Sequence, residues 1–229
     1  MKSCCIVVAG GSGLRMGSAI PKQFMQLAGA PILMHTLSRI HKFDSSLKLI
    51  LVLPTSEIVA WEDLCIKNEF HILHQIVEGG ETRFESVQNG LKHTNGFELI
   101  GIHDGVRPLV SYATLKNCYE QATASGTAIP VLSAHESVRK GSLSKSSPVD
   151  RSDYFFVQTP QVFKADILHR AYNQTWKAEF TDDASVVEQI GVAVRLVFGN
   201  RENIKITFPE DLIIAEAFLK LDLSSEGNI

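Results

Sequence analysis

Four stretches of this chain place glycines beside charged side chains, a pattern suited to holding phosphates. The first is Gly10-Gly11-Ser12-Gly13-Leu14-Arg15-Met16-Gly17, with Pro21-Lys22 just beyond. Glycine permits close approach of a ligand to the backbone, and successive free amides form a concavity for anions. Arg15 and Lys22 add positive charge, so a polyphosphate is the expected guest. The second stretch is Glu78-Gly79-Gly80-Glu81-Thr82-Arg83-Phe84-Glu85-Ser86. The third is His103-Asp104-Gly105-Val106-Arg107-Pro108, and the last is Gly199-Asn200-Arg201-Glu202-Asn203-Ile204-Lys205.

Counting excludes two familiar phosphate loops. A dinucleotide fingerprint starting at Gly11 needs a third glycine where Met16 stands. A P-loop frame starting at Gly10 meets Arg15 and Met16 in place of Gly-Lys. Taken singly, the remaining charges admit two readings each. Asp104 and Arg107 are either a surface ion pair worth under about 1 kcal/mol, or a hydroxyl or metal ligand beside an anion contact. Lys205, between Ile204 and Ile206, is either the outward residue of an edge strand or a cation directed at a ligand. Thr181-Asp182-Asp183 is either a helix cap or, through Thr181 and the following amides, a phosphate contact. The eight histidines show no metal-ligand spacing. Trp61 and Trp176 are expected as packing anchors in helices.

These groups need a scaffold, and the apolar pattern supplies one. Strand-like runs recur at 4–9, 49–53, 72–77, 98–103, 127–132 and 193–198. Between them, helical periodicity begins at Pro31, with Leu33, Leu37 and Ile40 on one face, and covers 56–68. A third helix starts at Thr82, where Glu85 completes a capping box. Others fall at 111–124, 163–172, 182–190 and 209–221. Such alternation predicts an α/β fold, a Rossmann-like and mostly parallel sheet with helices on both faces. Ligands of such sheets bind beyond the carboxyl ends of the strands, which is where the four stretches fall. The rhythm breaks over 134–157, a polar segment with a hairpin signal at Val138 and Gly141. A structureless loop that long is uncommon in a compact domain, so an arm reaching a second subunit is expected. Residues 1–229 then form a single domain carrying that protruding β-arm.

With 229 residues, 45% of them hydrophobic and 21% charged, the chain can build a core without staples. Its net charge of −3 argues against a nucleic-acid binder. Cys4, Cys5, Cys65 and Cys118 have neither zinc nor disulfide spacing and are expected as inert core thiols. No stretch has membrane-spanning length, so a cytoplasmic protein without a membrane partner is expected.

Together these blocks resemble a known family. The loop from Ala9 to Gly17 with Pro21-Lys22-Gln23-Phe24 is similar to the signature of the 2-C-methyl-D-erythritol 4-phosphate cytidylyltransferases. So are Gly80-Glu81-Thr82-Arg83 with Ser86-Val87, His103 to Pro108, Gln158-Thr159-Pro160-Gln161, Thr181 to Ser185, Asn203 to Thr207 and Pro209 to Leu212. Ribitol-5-phosphate cytidylyltransferases share most of these blocks, so that acceptor stays open at this point.

The resemblance implies transfer of a cytidylyl group from CTP to a polyol phosphate, with release of pyrophosphate, in non-mevalonate isoprenoid biosynthesis. It implies Mg²⁺ as cofactor, with no protein metal ligands assigned, and a homodimer with exchanged arms. It assigns catalysis to Arg15, Lys22 and Lys205. It assigns CTP binding to Ala9, Gly10, Gly11, Ser12, Gly13, Gly80, Arg83, Ser86, Asp104 and Gly105. Acceptor binding falls to Asp104, Arg107, Thr159, Thr181 and Lys205, with Ser137 and Arg151 from the partner's arm. Three positions depart from the family pattern. Ser137 replaces a usual threonine, Gly105 a common alanine, and Phe208 the usual threonine before Pro209. The last change is expected to remove a helix cap worth about 1 kcal/mol.

Overall fold

The structure, a computed structural model, describes residues 1–10 and 20–226. Arg15 and the loop glycines Gly11, Gly13 and Gly17 therefore lie outside the described residues, as does Ser12.

The central strand is β1 (Ser3–Val8), flanked in parallel by β4 (Lys48–Leu53) and β6 (Leu99–Asp104). Each is a continuous apolar run because both faces are covered. Along β1, Cys4 and Ile6 enter one core while Cys5 and Val7 enter the other. The first core is roofed by α3 (Arg83–Leu91), α5 (Ala165–Tyr172) and α6 (Asp183–Glu188). The second is roofed by α1 (Ile32–Phe43), α2 (Ile58–Lys67) and α4 (Tyr112–Ser125). Helix α1 starts after Pro31, and α3 carries both halves of the Thr82–Glu85 capping box. Three thiols, Cys4, Cys5 and Cys118, are fully buried in these layers, while Cys65 on α2 is half-buried.

The sheet continues outward from β4 to β5 (Gln75–Glu78), and from β6 through β11 (Gln161–Lys164) to β7 (Thr127–Ser133). Strand β7 also pairs with β10 (Phe155–Val157) and β12 (Leu196–Phe198). Strand β11 is antiparallel to both β6 and β7, and β10 is antiparallel to β7. The expected helix over 163–172 is thus corrected at its start. Gln161-Val162-Phe163-Lys164 is a buried strand, and the helix begins at Ala165. The strands expected over 72–77 and 193–198 are shorter and end later or begin later, at 75–78 and 196–198.

Two small features complete the scaffold. A tight hairpin of β2 (Gln26–Leu27) and β3 (Ala30–Pro31) precedes α1. Against it packs a third apolar cluster of Leu27, Ile32, Val106, Leu109, Ile206 and Ala215, which seats α7 (Pro209–Glu226). The carboxylate of Asp211 accepts the Thr207 and Phe208 amides at 2.7 and 2.8 Å. The cap expected to be lost at Phe208 is therefore supplied from inside the helix.

The arm over 134–157 forms β8 (Arg139–Gly141) and β9 (Ser146–Pro148), an exposed antiparallel hairpin, before returning through β10. Trp61 is fully buried and stacks on Phe24 at 5.9 Å. Trp176 is a correction: it lies in the connection between α5 and α6 and is half exposed.

Candidate active site

A cavity of about 170 Å³ opens at the carboxyl ends of β1 and β6. Among the described residues its lining includes Ala9, Gly10, Lys22, Gly80, Arg83, Ser86, Asp104 and Lys205. Each reaches the cleft for a local reason. Lys22 stands in a single 3-10 turn, Lys22–Phe24, pinned from behind by the Phe24–Trp61 stack. Lys205 lies between Ile204 and the fully buried Ile206, both drawn into the third cluster. Lys205 itself is turned the other way, into the cleft. Residues 204–206 form no strand, and their tie to the body includes Ile206 N–H donating to Val106 C=O at 3.0 Å.

Asp104 is the hub. Its Oδ2 meets Lys205 Nζ at 3.1 Å and Arg107 Nε at 3.0 Å. Its Oδ1 faces Arg83 Nε at 3.9 Å. Burial alone would raise the carboxyl's pKa. The charges of Lys205, Arg83 and Arg107 outweigh it and hold Asp104 well below the usual carboxylate range. Arg107 is further anchored by donating to Asn203 C=O at 2.8 Å. Arg83 makes a forked pair with Asp183, at 2.8 Å from NH1 and 2.6 Å from NH2. Asp183 is fully buried and also accepts from Tyr172 Oη at 2.6 Å. Burial disfavours the Arg83 charge, but Asp183 and Asp104 more than restore it.

The floor beneath Asp104 is a polar chain. Asp104 N–H donates to Thr159 Oγ1 at 3.0 Å, and Thr159 Oγ1 lies 3.0 Å from His103 Nδ1. His103 Nε2 lies 3.0 Å from Arg107 C=O. A carbonyl only accepts, so Nε2 carries the proton and Thr159 O–H donates to Nδ1. Burial, the largest influence, pushes the His103 pKa down to about 4. The chain thus ties both ends of the 104–107 turn through a neutral ring. Asn203 Nδ2 donates to Thr159 C=O at 2.9 Å, which joins the Lys205 segment to the same floor.

Two glycines are required by contact. A Cβ on Gly80 would sit 2.3 Å from Glu85 Cβ, inside the capping box that orients Arg83. Gly80 N–H donates to Ser86 Oγ at 3.1 Å. A Cβ on Gly105 would sit 2.8 Å from Ala9 Cβ and 3.1 Å from Leu33 Cδ1. The alanine common in the resembled family would therefore require β1 and the turn to shift apart here. Thr36 Oγ1 donates to Gly105 C=O at 2.9 Å and fixes the turn from α1.

The cleft's cations and its loops agree with one family. A family model described as 2-C-methyl-D-erythritol 4-phosphate cytidylyltransferase matches residues 3–221. The chain belongs to this family. A 2-C-methyl-D-erythritol 4-phosphate cytidylyltransferase of Bacteroides fragilis is 54% identical over 214 residues, covering 93% of this chain and 98% of that one. One from Bacteroides thetaiotaomicron is 50% identical over 219 residues, 96% of this chain and 100% of the relative. A crystal structure of the cytidylyltransferase from Thermus thermophilus superposes with a TM-score of 0.79 at 29% identity, covering 96% of this chain and all of that one. Like them, the chain is a nucleotidyltransferase of the α/β class.

Of the expected site residues that are described, the cytidylyltransferase fold gathers most, not all. Ala9, Gly10, Lys22, Gly80, Arg83, Ser86, Asp104 and Lys205 line one cleft. Gly105 and Arg107 support it from the adjoining turn. Thr159 is buried, and its hydroxyl is committed to Asp104 N–H and His103, so it sits under the cleft and not in its wall. Thr181 is exposed, and the cap of α6 is Asp182, whose side chain accepts from Ser185 N–H at 2.9 Å. Ser137 and Arg151 lie on the exposed arm, where Arg151 NH1 donates to His135 C=O. Among the described residues neither lines this chain's cleft.

Sequence reasoning missed the members that act from behind. Asp183 and Tyr172 are far in sequence from Arg83, and His103 reads as one histidine among eight. The available signal was the acidic pair Asp182-Asp183 at a helix start. One acid is the cap and the other is the buried partner of an arginine.

Proposed function

We propose that this cleft joins CTP to 2-C-methyl-D-erythritol 4-phosphate, giving 4-diphosphocytidyl-2-C-methyl-D-erythritol and pyrophosphate. The observation that carries the reading is the convergence of Lys22, Arg83, Lys205 and Asp104 on one cavity in a chain of this family. An acceptor phosphate oxygen attacks the α-phosphorus of CTP as the bond to the pyrophosphate oxygen breaks. The nucleophile is already ionised, so no strong general base is needed. The barrier comes from repulsion between two anions and from charge growing on the leaving group. Fixed cations and positioning answer both. Arg83, Arg107 and Lys205 set three positive charges against the two negative charges of Asp104 and Asp183, leaving the group at +1.

In this reading Lys205 meets the attacked phosphate, while Lys22 with Arg15 grips the triphosphate. The 80–86 loop and Gly10 contact cytidine through backbone groups, which leaves little room for a purine. Asp104 and Arg107 take the acceptor. Among the described residues no group of three or more His, Cys, Asp or Glu side chains could hold a metal ion. Mg²⁺, when bound, would come with the triphosphate and would supply positive charge against the growing charge of the leaving pyrophosphate.

The arm completes the site in a homodimer. Its supports are the exposed Ser137 and Arg151, together with an exposed aromatic strand, Phe155–Val157, at the end of the sheet. Measuring pyrophosphate release with CTP and either methylerythritol phosphate or ribitol 5-phosphate tests the whole reading. Turnover with the first acceptor is expected, and none with it would overturn the proposal.

A further inference from the structure

The two oxygens of Asp104 are used unequally. Oδ2 takes both Lys205 and Arg107 at 3.1 and 3.0 Å. Oδ1 has only Arg83 Nε at 3.9 Å, beyond hydrogen-bond reach, and among the described residues nothing donates to it. Yet Asp104 lines the cleft. A charged acceptor with an unfilled position, at the wall of a site, is built to receive a donor.

Arg83 is the group that could fill that position, and it stands between two carboxylates. A guanidinium forks a carboxylate with two parallel hydrogen bonds when it can. Arg83 does so with Asp183, through NH1 and NH2. Asp183 is fixed for this task. It is fully buried, receives Tyr172 Oη at 2.6 Å, and sits in the first turn of α6 next to the Asp182–Ser185 capping box. The next residue is fixed as well, with Ala184 N–H donating to Gln161 Oε1 at 2.8 Å. With that partner neutralised, Asp104 would be the nearest carboxylate for Arg83.

We infer that Asp183 is a positioning residue that holds Arg83 off Asp104, leaving Asp104 Oδ1 open to a hydroxyl of the polyol acceptor. The inference rests on the cytidylyltransferase reading above and adds the origin of its acceptor recognition. A carboxylate accepting from a hydroxyl makes a short, charge-assisted bond, and a site built around it rejects acceptors that lack the donor.

The test is steady-state kinetics at saturating CTP with the acceptor varied. Asp183→Asn is expected to raise the acceptor KM about tenfold, the loss of one charge-assisted hydrogen bond. Asp183→Glu, which keeps a negative charge facing Arg83, is expected to bring the acceptor KM back to within about threefold of the parent. A residue with only a structural role would leave Asp183→Glu no better than Asp183→Asn, and that result would overturn the inference. Should Asp183→Asn fail to fold, Tyr172→Phe removes one of the bonds holding Asp183 and is expected to raise the acceptor KM about twofold. A folded Tyr172→Phe with the parental value would overturn the inference too. A parent that releases no pyrophosphate sinks the functional reading and this inference together. A parent that turns over, while Asp183→Asn keeps its acceptor KM, sinks the inference alone.

Discussion

Lys205 reaches the cleft because its neighbours are greasy. Ile204 and Ile206 are pulled into the cluster beneath α7, and the residue between them is delivered to Asp104. In the proposed reaction its charge serves the reacting phosphate, so Lys205→Ala is expected to lower turnover by about 100-fold. The CTP dissociation constant, read by titration, should change far less. Comparable turnover in variant and parent would contradict the role. His103 makes a different prediction, through pH. Its folded pKa is depressed to about 4, below the usual value of 6.5, so the unfolded chain takes up the proton first. The stability tied to the neutral ring is complete above about pH 6.5, falls as pH drops toward 4, and amounts to roughly 3 kcal/mol at most. Denaturant midpoints measured between pH 7 and 4 should decline in the parent and decline less steeply in His103→Gln. Asp104 contributes in the same direction at lower pH, because its depressed pKa makes its stabilisation fail only as acid protonates it.

At the scale of elements, the exposed arm is the part to which the proposed homodimer gives a role. Arg151→Ala is expected to raise the acceptor KM by about tenfold, as for one lost charged hydrogen bond, and leave CTP binding unchanged. A loss confined to CTP binding would count against the exchanged arm. The core strands were legible in sequence because burial on both faces makes them unbroken apolar runs, as in Cys4 to Val8 and Leu49 to Leu53. The capping box at Thr82 and Glu85 was legible because its chemistry is local. Strand β11 was not. Its residues run directly into α5, so the apolar pattern of Val162 and Phe163 merges with the helical period. Strand β10 was hidden inside a polar arm because it is only three residues long. The cleft's cations could be found from the loops that carry them. The Arg83–Asp183 pair could not, because a contact across 100 residues leaves no spacing to count. Likewise Thr159 was found by its motif, but its place beneath the turn depends on an antiparallel strand that periodicity did not reveal.

At the scale of the whole molecule, exposed apolar side chains lie on several elements, and two aromatics flank one strand. Phe156 is 61% and Phe198 76% exposed, on neighbours of the same strand β7. Exposed aromatics on an end strand invite a second chain. Phe156→Asp is therefore expected to shift sedimentation from dimer toward monomer and to reduce activity most at low protein concentration. An unchanged sedimentation profile would count against that interface. Among the described residues no helix is long and apolar enough to cross a membrane. The same layering that roofs the sheet also sorts the four thiols. Burial pushes Cys4 and Cys118 up to about 12 and Cys5 higher still, while Cys65, on the outer helix, rises to about 11. Thiolate is the reactive form, so an alkylating reagent meets a native chain with one partly accessible sulfur and three sealed ones. Modification of the sealed three can follow only when the central strand and α4 come apart. The protein thereby carries its own chemical gauge of how often its middle opens, with no label to be engineered in.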